Sequence, residues 1–252
     1  MPLVKTTAII LKSRKWGEAD RIVTFYSKEF GKIRGVARGA RRFKSRFGAT
    51  LEPFTRCHLD LFEKQGDSLY RISHVDLLES FQPLREELLL MACAARMVNV
   101  VGAVTPDGDP DSRLFDTLGQ GLESLKDSRD PVMTALLFQI RLLGLTGFRP
   151  QTDQCATCGK AGVTGDPQFS AMAGGFVCLP CGMRQRVRCV MMSRGSLSFL
   201  QQAIRLTPEL VTRLKATGQV RAEVEQAIEG YVTVVAGRRL PPVDFLASFS
   251  SV

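Results

Sequence analysis

The chain has 252 residues, 44% of them apolar, so it can bury a sizeable core in one or two domains and is not disordered as a whole. Lys and Arg number 34 against 25 Asp and Glu, a net charge of +9, and a pI of about 9.4 favours a polyanionic partner. The longest apolar run, residues 88–95, falls far short of the ~20 residues of a membrane span. The short run 8–11 behind Lys5 makes no secretory signal, so the expected compartment is the reducing cytoplasm, without membrane contact.

Five short strands are expected in the first eighty residues. Residues 6–11 and 21–26 are rich in β-branched and aromatic side chains. Residues 31–38 alternate, with Ile33, Gly35 and Ala37 on one face and Lys32 and Arg34 on the other. Residues 56–62 set Cys57, Leu59 and Leu61 against Arg56, His58 and Asp60. Residues 69–77 keep an imperfect period, which predicts a bulge or a curve. Five such strands fit a small barrel; the OB-fold is the commonest five-stranded kind, and hydrophobicity alone leaves an SH3-like barrel open.

After Pro83 the period becomes helical. A core helix is expected over 84–101, then a Pro/Asp/Gly turn over 106–111, a helix from Ser112 (read as its N-cap) to Lys126, and another from Pro131 to about Leu145. Residues 147–186 hold paired cysteines among many glycines. Helices return over 193–206, 208–216 and 220–236, stopped by Gly237 and Pro241-Pro242. The expected class is α+β and multidomain: a five-stranded OB-fold barrel over 1–81, followed by an α-helical domain over 82–252 with a zinc element at about 150–188.

Two histidines, His58 and His74, exclude a three-histidine metal site and an HExxH motif, and neither stands at metal-ligand spacing. There is no phosphate loop, and Gly119-Gln120-Gly121 lies in a helical pattern without the third glycine of a dinucleotide fingerprint. A GxSxG elbow is also absent. The chain is expected not to be an enzyme and to use no nucleotide cofactor.

Four of the seven cysteines form Cys155-x2-Cys158 and Cys178-x2-Cys181, and Gly159 and Gly182 follow the second member of each pair. Two tight turns at this spacing aim four thiolates at one ion, and the expectation is one structural Zn2+ per chain with no open coordination position. Redox pairs and unrelated buried thiols are the alternatives. Cys189 could compete as a ligand, but Arg186 and Arg188 beside it suggest a surface strand. Cys57 and Cys93, on apolar faces, read as ordinary buried thiols.

Between Lys28 and Arg46 the chain carries Lys28, Lys32, Arg34, Arg38, Arg41, Arg42, Lys44 and Arg46 against the single acid Glu29. The first eighty residues have sixteen basic and nine acidic side chains, so +7 of the +9 charge lies there. Phe43 and Phe47 interleave with the charges, and Gly35, Gly39 and Gly48 allow close backbone approach. Basic groups neutralise phosphates and exposed aromatics stack on bases. Lys32, Arg34, Arg38, Arg41, Arg42, Lys44 and Arg46 are therefore the expected nucleic-acid contacts. Arg14, Lys15, Trp16 and Phe43 are further candidates, Trp16 from the loop that joins the first two strands. The alternatives are a solvated loop with the phenylalanines turned inward and a core role for the lone tryptophan.

Together these residues resemble the RecO family of bacterial recombination mediators. The likeness runs through residues 15–24 (KWGEADRIVT), residues 31–42 (GKIRGVARGARR), Leu51-Glu52-Pro53-Phe54, Arg141-Leu142-Leu143-Gly144 and the two cysteine pairs. The resemblance implies an OB-fold, a helical domain and a zinc element. It also implies binding of single- and double-stranded DNA, annealing of complementary strands, and partnership with RecR and the tail of single-strand-binding protein. RecA loading would follow in the RecFOR pathway, in the cytoplasm at the nucleoid. The longer basic tract that would support a DNA role for the C-terminal end is missing after Arg238-Arg239. An RNA-binding or translation-associated OB-fold and zinc protein is the alternative. A DNA ligase would need a Lys-x-Asp-Gly nucleophile, which does not occur.

Overall fold

The computed structural model describes residues 2–63, 69–162, 167–184, 189–206 and 214–241. The chain divides into two compact units, Met1–Arg129 and Asp130–Pro242. In the first, β1 (Leu3–Trp16), β2 (Asp20–Ser27), β3 (Gly31–Ala37), β4 (Arg56–Phe62) and β5 (Leu69–Glu79) close a barrel in the order β1-β2-β3-β5-β4. Only β3 and β5 pair in parallel, which closes the barrel in the OB-fold manner expected from the sequence. Its interior is built from alternate residues, among them Ile33 and Ala37 on β3 and Cys57, Leu59 and Leu61 on β4. Burial pushes the Cys57 thiol up to about 12, as an inert core thiol requires.

The imperfect period of β5 has a cause. Its pairing with β4 slips twice, Cys57 to Leu77 after Arg56 to Glu79, and Leu61 to Ile72 after Asp60 to His74. Each slip leaves one extra residue on β5, a bulge that bends the strand around the barrel. A further slip between Ile10 and Lys12 bends β1.

The run Ala8-Ile9-Ile10-Leu11 is buried without alternation because β1 is covered on both faces. One face looks into the barrel; on the other, Ile9 approaches Gly119 and Leu11 approaches Gly102. These glycines lie on α3 (Ser112–Lys126) and α2 (Leu88–Val104), so the helices that follow the barrel fold against it.

Three local expectations are corrected here. The helix expected over 84–101 is two: α1 (Pro83–Glu86) and α2 are separated by Glu87, whose backbone is extended. Arg85 pins α1 to the barrel by donating to the carbonyls of Ser80 and Pro53 and to Thr55 Oγ1, and the chain then changes direction. An apolar run without Gly or Pro gives no warning of such a tertiary break. The N-cap of α3 is Asp111, one residue before Ser112; its carboxylate accepts from the amides of Arg113 and Leu114. Third, β1 runs through Trp16, which therefore stands on a strand end and not in the loop.

The second unit contains α4 (Pro131–Leu145), a three-stranded sheet of β7 (Gly175–Val177), β6 (Gln168–Ser170) and β8 (Val190–Met191), the short α5 (Leu179–Met183), α6 (Arg194–Arg205) and α7 (Gly218–Val235). Phe169 of β6 packs edge-on against Phe176 at 5.7 Å and Tyr231 at 5.9 Å, which joins the small sheet to α7. Of the helix expected over 208–216, residues 208–213 lie outside the described residues and 214–216 are not helical. Among the described residues no helix is long and apolar enough to cross a membrane.

Candidate nucleic-acid interface and metal centre

At one end of the barrel, two stretches that are separate in sequence are tied together. The β1–β2 turn carries Arg14, Lys15 and Trp16 on its first strand, and the basic segment 38–46 follows β3. The Arg41 amide donates to Ala19 O at 2.9 Å, and its guanidinium to Gly17 O at 3.2 Å and Glu18 O at 2.8 Å. The Gly39 amide donates to the Asp20 carboxylate at 2.7 Å. Successive turns, Arg42 N to Gly39 O and Ser45 N to Arg42 O, then fold the segment on itself. Gly39 takes a positive φ of 69°, the left-handed conformation that such a turn requires.

Arg14, Lys15, Arg38, Arg41, Arg42, Lys44 and Arg46 are all exposed at this end. The two phenylalanines part company. Phe43 is fully exposed, whereas Phe47 is 2% exposed and belongs to the barrel core, with Arg46 over its ring at 4.9 Å. Trp16 is 56% exposed, so the lone tryptophan is not a core plug.

Lys32 and Arg34 stand differently. Lys32 Nζ donates to Gly102 O at 2.9 Å and Thr105 O at 2.5 Å, pairs with Asp107 at 3.1 Å, and is largely covered. It satisfies carbonyls at the C-terminal end of α2, where a cation also meets the negative end of the helix dipole. These partners set Lys32 apart from the open cations of the barrel end. Arg34 remains exposed, 3.6 Å from the same Asp107. Counting charges along the chain misses this neutralisation, because Asp107 arrives from the α2–α3 connection. That connection sits close on β3: a Cβ on Gly31 would lie 2.2 Å from Asp109 O.

In the second unit the four cysteines converge. The Sγ atoms of Cys155, Cys158, Cys178 and Cys181 lie within 4.8 Å of one another, and Cys158 and Cys178 are 3.7 Å apart. The edge of a tetrahedron with ~2.3 Å bonds is about 3.8 Å, so the spacing fits a metal bound by four sulfurs. The first turn is closed by Gly159 N to Cys155 O at 2.9 Å, with Gly159 at φ 71°. The second is the start of α5, where Gly182 N reaches Cys178 O at 2.9 Å. Gly182 is helical, not the positive-φ residue expected. It is small for another reason: a Cβ there would meet Gln168 Oε1 at 1.9 Å.

The electrostatics fit a cation. Burial opposes ionisation of Cys155, but amides of Cys158, Cys178 and Thr157 aimed at its sulfur hold the thiol down at about 6. Cys181, hydrogen-bonded first to Cys178, is pushed up to about 12. Four thiolates cannot share this space without a positive charge among them, and a divalent ion removes that obstacle. Cys189 is half-buried beside β8 and outside the cluster; Arg186 and Arg188 lie outside the described residues. His58 and His74 are exposed, bonded to Thr7 at 3.0 Å and Asp76 at 2.8 Å.

Residues 1–81 match the family model described as Recombination protein O N terminal, and residues 85–242 the one described as Recombination protein O C terminal. The chain belongs to the RecO family. A DNA repair protein RecO of Myxococcus xanthus is 36% identical over 246 residues, covering 95% of each chain. That of Symbiobacterium thermophilum is 31% identical over 254 residues, 100% of this chain and 99% of its own. That of Rubrobacter xylanophilus is 38% identical over 182 residues, 72% of each. These RecO relatives are named as DNA repair proteins.

Proposed function

We propose that this RecO-family chain is a non-enzymatic mediator of DNA repair and recombination that binds single- and double-stranded DNA and anneals complementary strands. With RecR it would help load RecA on DNA covered by single-strand-binding protein, whose acidic tail the chain would hold, in the cytoplasm at the nucleoid. The observation that carries this reading is the basic barrel end, where the segment 38–46 is laced to the β1–β2 turn. Arg34, Arg38, Arg42, Lys44 and Arg46 are its phosphate contacts. Annealing needs two polyanions to approach, and a surface that neutralises phosphates lowers their repulsion while base pairing supplies specificity. The cysteine cluster holds one structural Zn2+, since four sulfurs leave no position for water.

The test is the salt dependence of binding. Replacing Arg38, Arg42, Lys44 and Arg46 by Ala removes up to four contacts and should flatten log affinity against log salt by up to about three units on single strands. The loss should be alike for different sequences, and fluorescence-monitored annealing should fall with it, without nucleotide. An unchanged slope in the folded variant would move the DNA-binding face elsewhere. Equal or tighter binding of RNA of the same sequence would favour an RNA-binding role.

A further inference from the structure

We propose that Trp16 and Phe43 stack on unpaired bases and give the basic barrel end its preference for single-stranded DNA, with Arg41 as the residue that positions them. This rests on the DNA-binding reading above and divides the labour within that site.

Both aromatics leave ring surface open to solvent among the described residues. Phe43 is fully exposed and Trp16 is 56% exposed, while Phe47, four residues on from Phe43, enters the core. Burial inside the barrel was thus open to an aromatic from this segment, and Phe43 does not take it. The two stretches that carry the rings are tied together by hydrogen bonds. Trp16 ends β1 opposite Asp20, and Asp20 accepts from the Gly39 amide. The Arg41 guanidinium bonds the carbonyls of Gly17 and Glu18, one and two residues from Trp16, and Phe43 is two residues from Arg41. Two residues span at most ~7 Å of chain, so both rings stay close to this junction.

The surroundings select the occupant. Arg14, Lys15, Arg38, Arg42, Lys44 and Arg46 are exposed in the same two stretches of chain as the rings, and Glu18 is the one acid of the β1–β2 turn. An apolar protein partner would leave these cations without counter-charge. Single-stranded DNA supplies both phosphates and open base faces, whereas duplex DNA offers phosphates with its base faces already stacked. Arg41 differs from its neighbours because Nη1 of its guanidinium donates to two carbonyls of the β1–β2 turn. It holds the segment in place instead of meeting a phosphate.

Because Trp16 is the only tryptophan, its intrinsic emission reports this contact in the intact chain without a label. Titration with a single-stranded oligothymidylate should quench the emission, and a duplex of equal length should quench it far less. Trp16→Ala and Phe43→Ala should each weaken single-strand binding at least about five-fold, change duplex binding less than about two-fold, and leave the salt slope unaltered. Trp16→Phe should restore most of the loss. Arg41→Ala should lower the ratio of single-strand to duplex affinity with an unchanged salt slope, which loss of a phosphate contact or of mere stability would not produce. If anisotropy of a labelled strand shows binding while the emission does not move, or both aromatic variants bind single strands like the parent, the inference is wrong and the charge-based site stands. Absence of binding to either form of DNA would overturn both.

Discussion

A single side chain can be read two ways until its neighbours are known, and Lys32 shows how much that matters. On β3 it alternates outward with Arg34, which is the position a phosphate contact needs. Its ammonium instead meets two carbonyls at the end of α2 and the Asp107 carboxylate. Lys32→Met removes these charge-assisted bonds and leaves covered carbonyls unpaired, which should cost about 1–3 kcal/mol. Thermal unfolding should show that loss, while the salt slope of DNA binding should stay at the parent value. A slope flattened by ~0.7 on single strands would return Lys32 to the phosphate contacts. Phe43 and Phe47 make the same point, four residues apart with opposite fates, because the turns at 39–45 face solvent and the chain then enters the barrel.

At the scale of elements, the helix starts carry much of the local information. Asp111, Asp130 and Ser193 each accept from an amide of the turn that follows. The Arg113 guanidinium beside Asp111, joined by the amides of Arg113 and Leu114, holds the Asp111 carboxyl below its ordinary range. A depressed carboxylate stabilises the fold above its unfolded pKa, and the contribution is lost as pH falls through the folded value. Asp111→Ala should therefore cost about 1 kcal/mol at pH 7. The gap in melting temperature between variant and parent should narrow as the medium is acidified below about pH 4. A gap independent of pH would show that the side chain acts by packing alone. The barrel strands were legible, β1 and β2 from β-branched and aromatic content, β3 and β4 from alternation, and the irregular β5 because a bulge leaves its mark in the period itself. The break at Glu87 was not legible, because it follows from Arg85 being held by the barrel and leaves no Gly or Pro in the run.

For the whole molecule, the two units rest on different sources of stability. The first has a barrel core closed by hydrogen bonds on every strand. The small sheet of the second carries strands of only two or three residues and places the four cysteines beside it. Strands this short are not stable alone, and the proposed metal, by tying the four cysteines together, would supply the missing constraint. Freshly purified protein should contain one zinc per chain by elemental analysis. Chelation, or Cys158→Ser, should lower the thermal midpoint by at least ~5 °C and speed amide exchange over 151–184, with the barrel amides unchanged. Metal-free protein with full protection over 151–184 would remove the structural role.

By itself the sequence determined the five barrel strands, most of the helices, the four-cysteine spacing and the surplus of charge at the N-terminal end. These are local properties: a period of two or 3.6, a two-residue gap, a run of like charge. Tertiary structure alone decided which cations remain open, which phenylalanine is core, and that Arg41 bridges to Gly17 and Glu18. It also brought Asp107 to Lys32 and Arg34. The physical reason is that a charge or a ring takes its role from partners far along the chain, and strand pairing together with the docking of the α2–α3 connection brings those partners within a few ångströms.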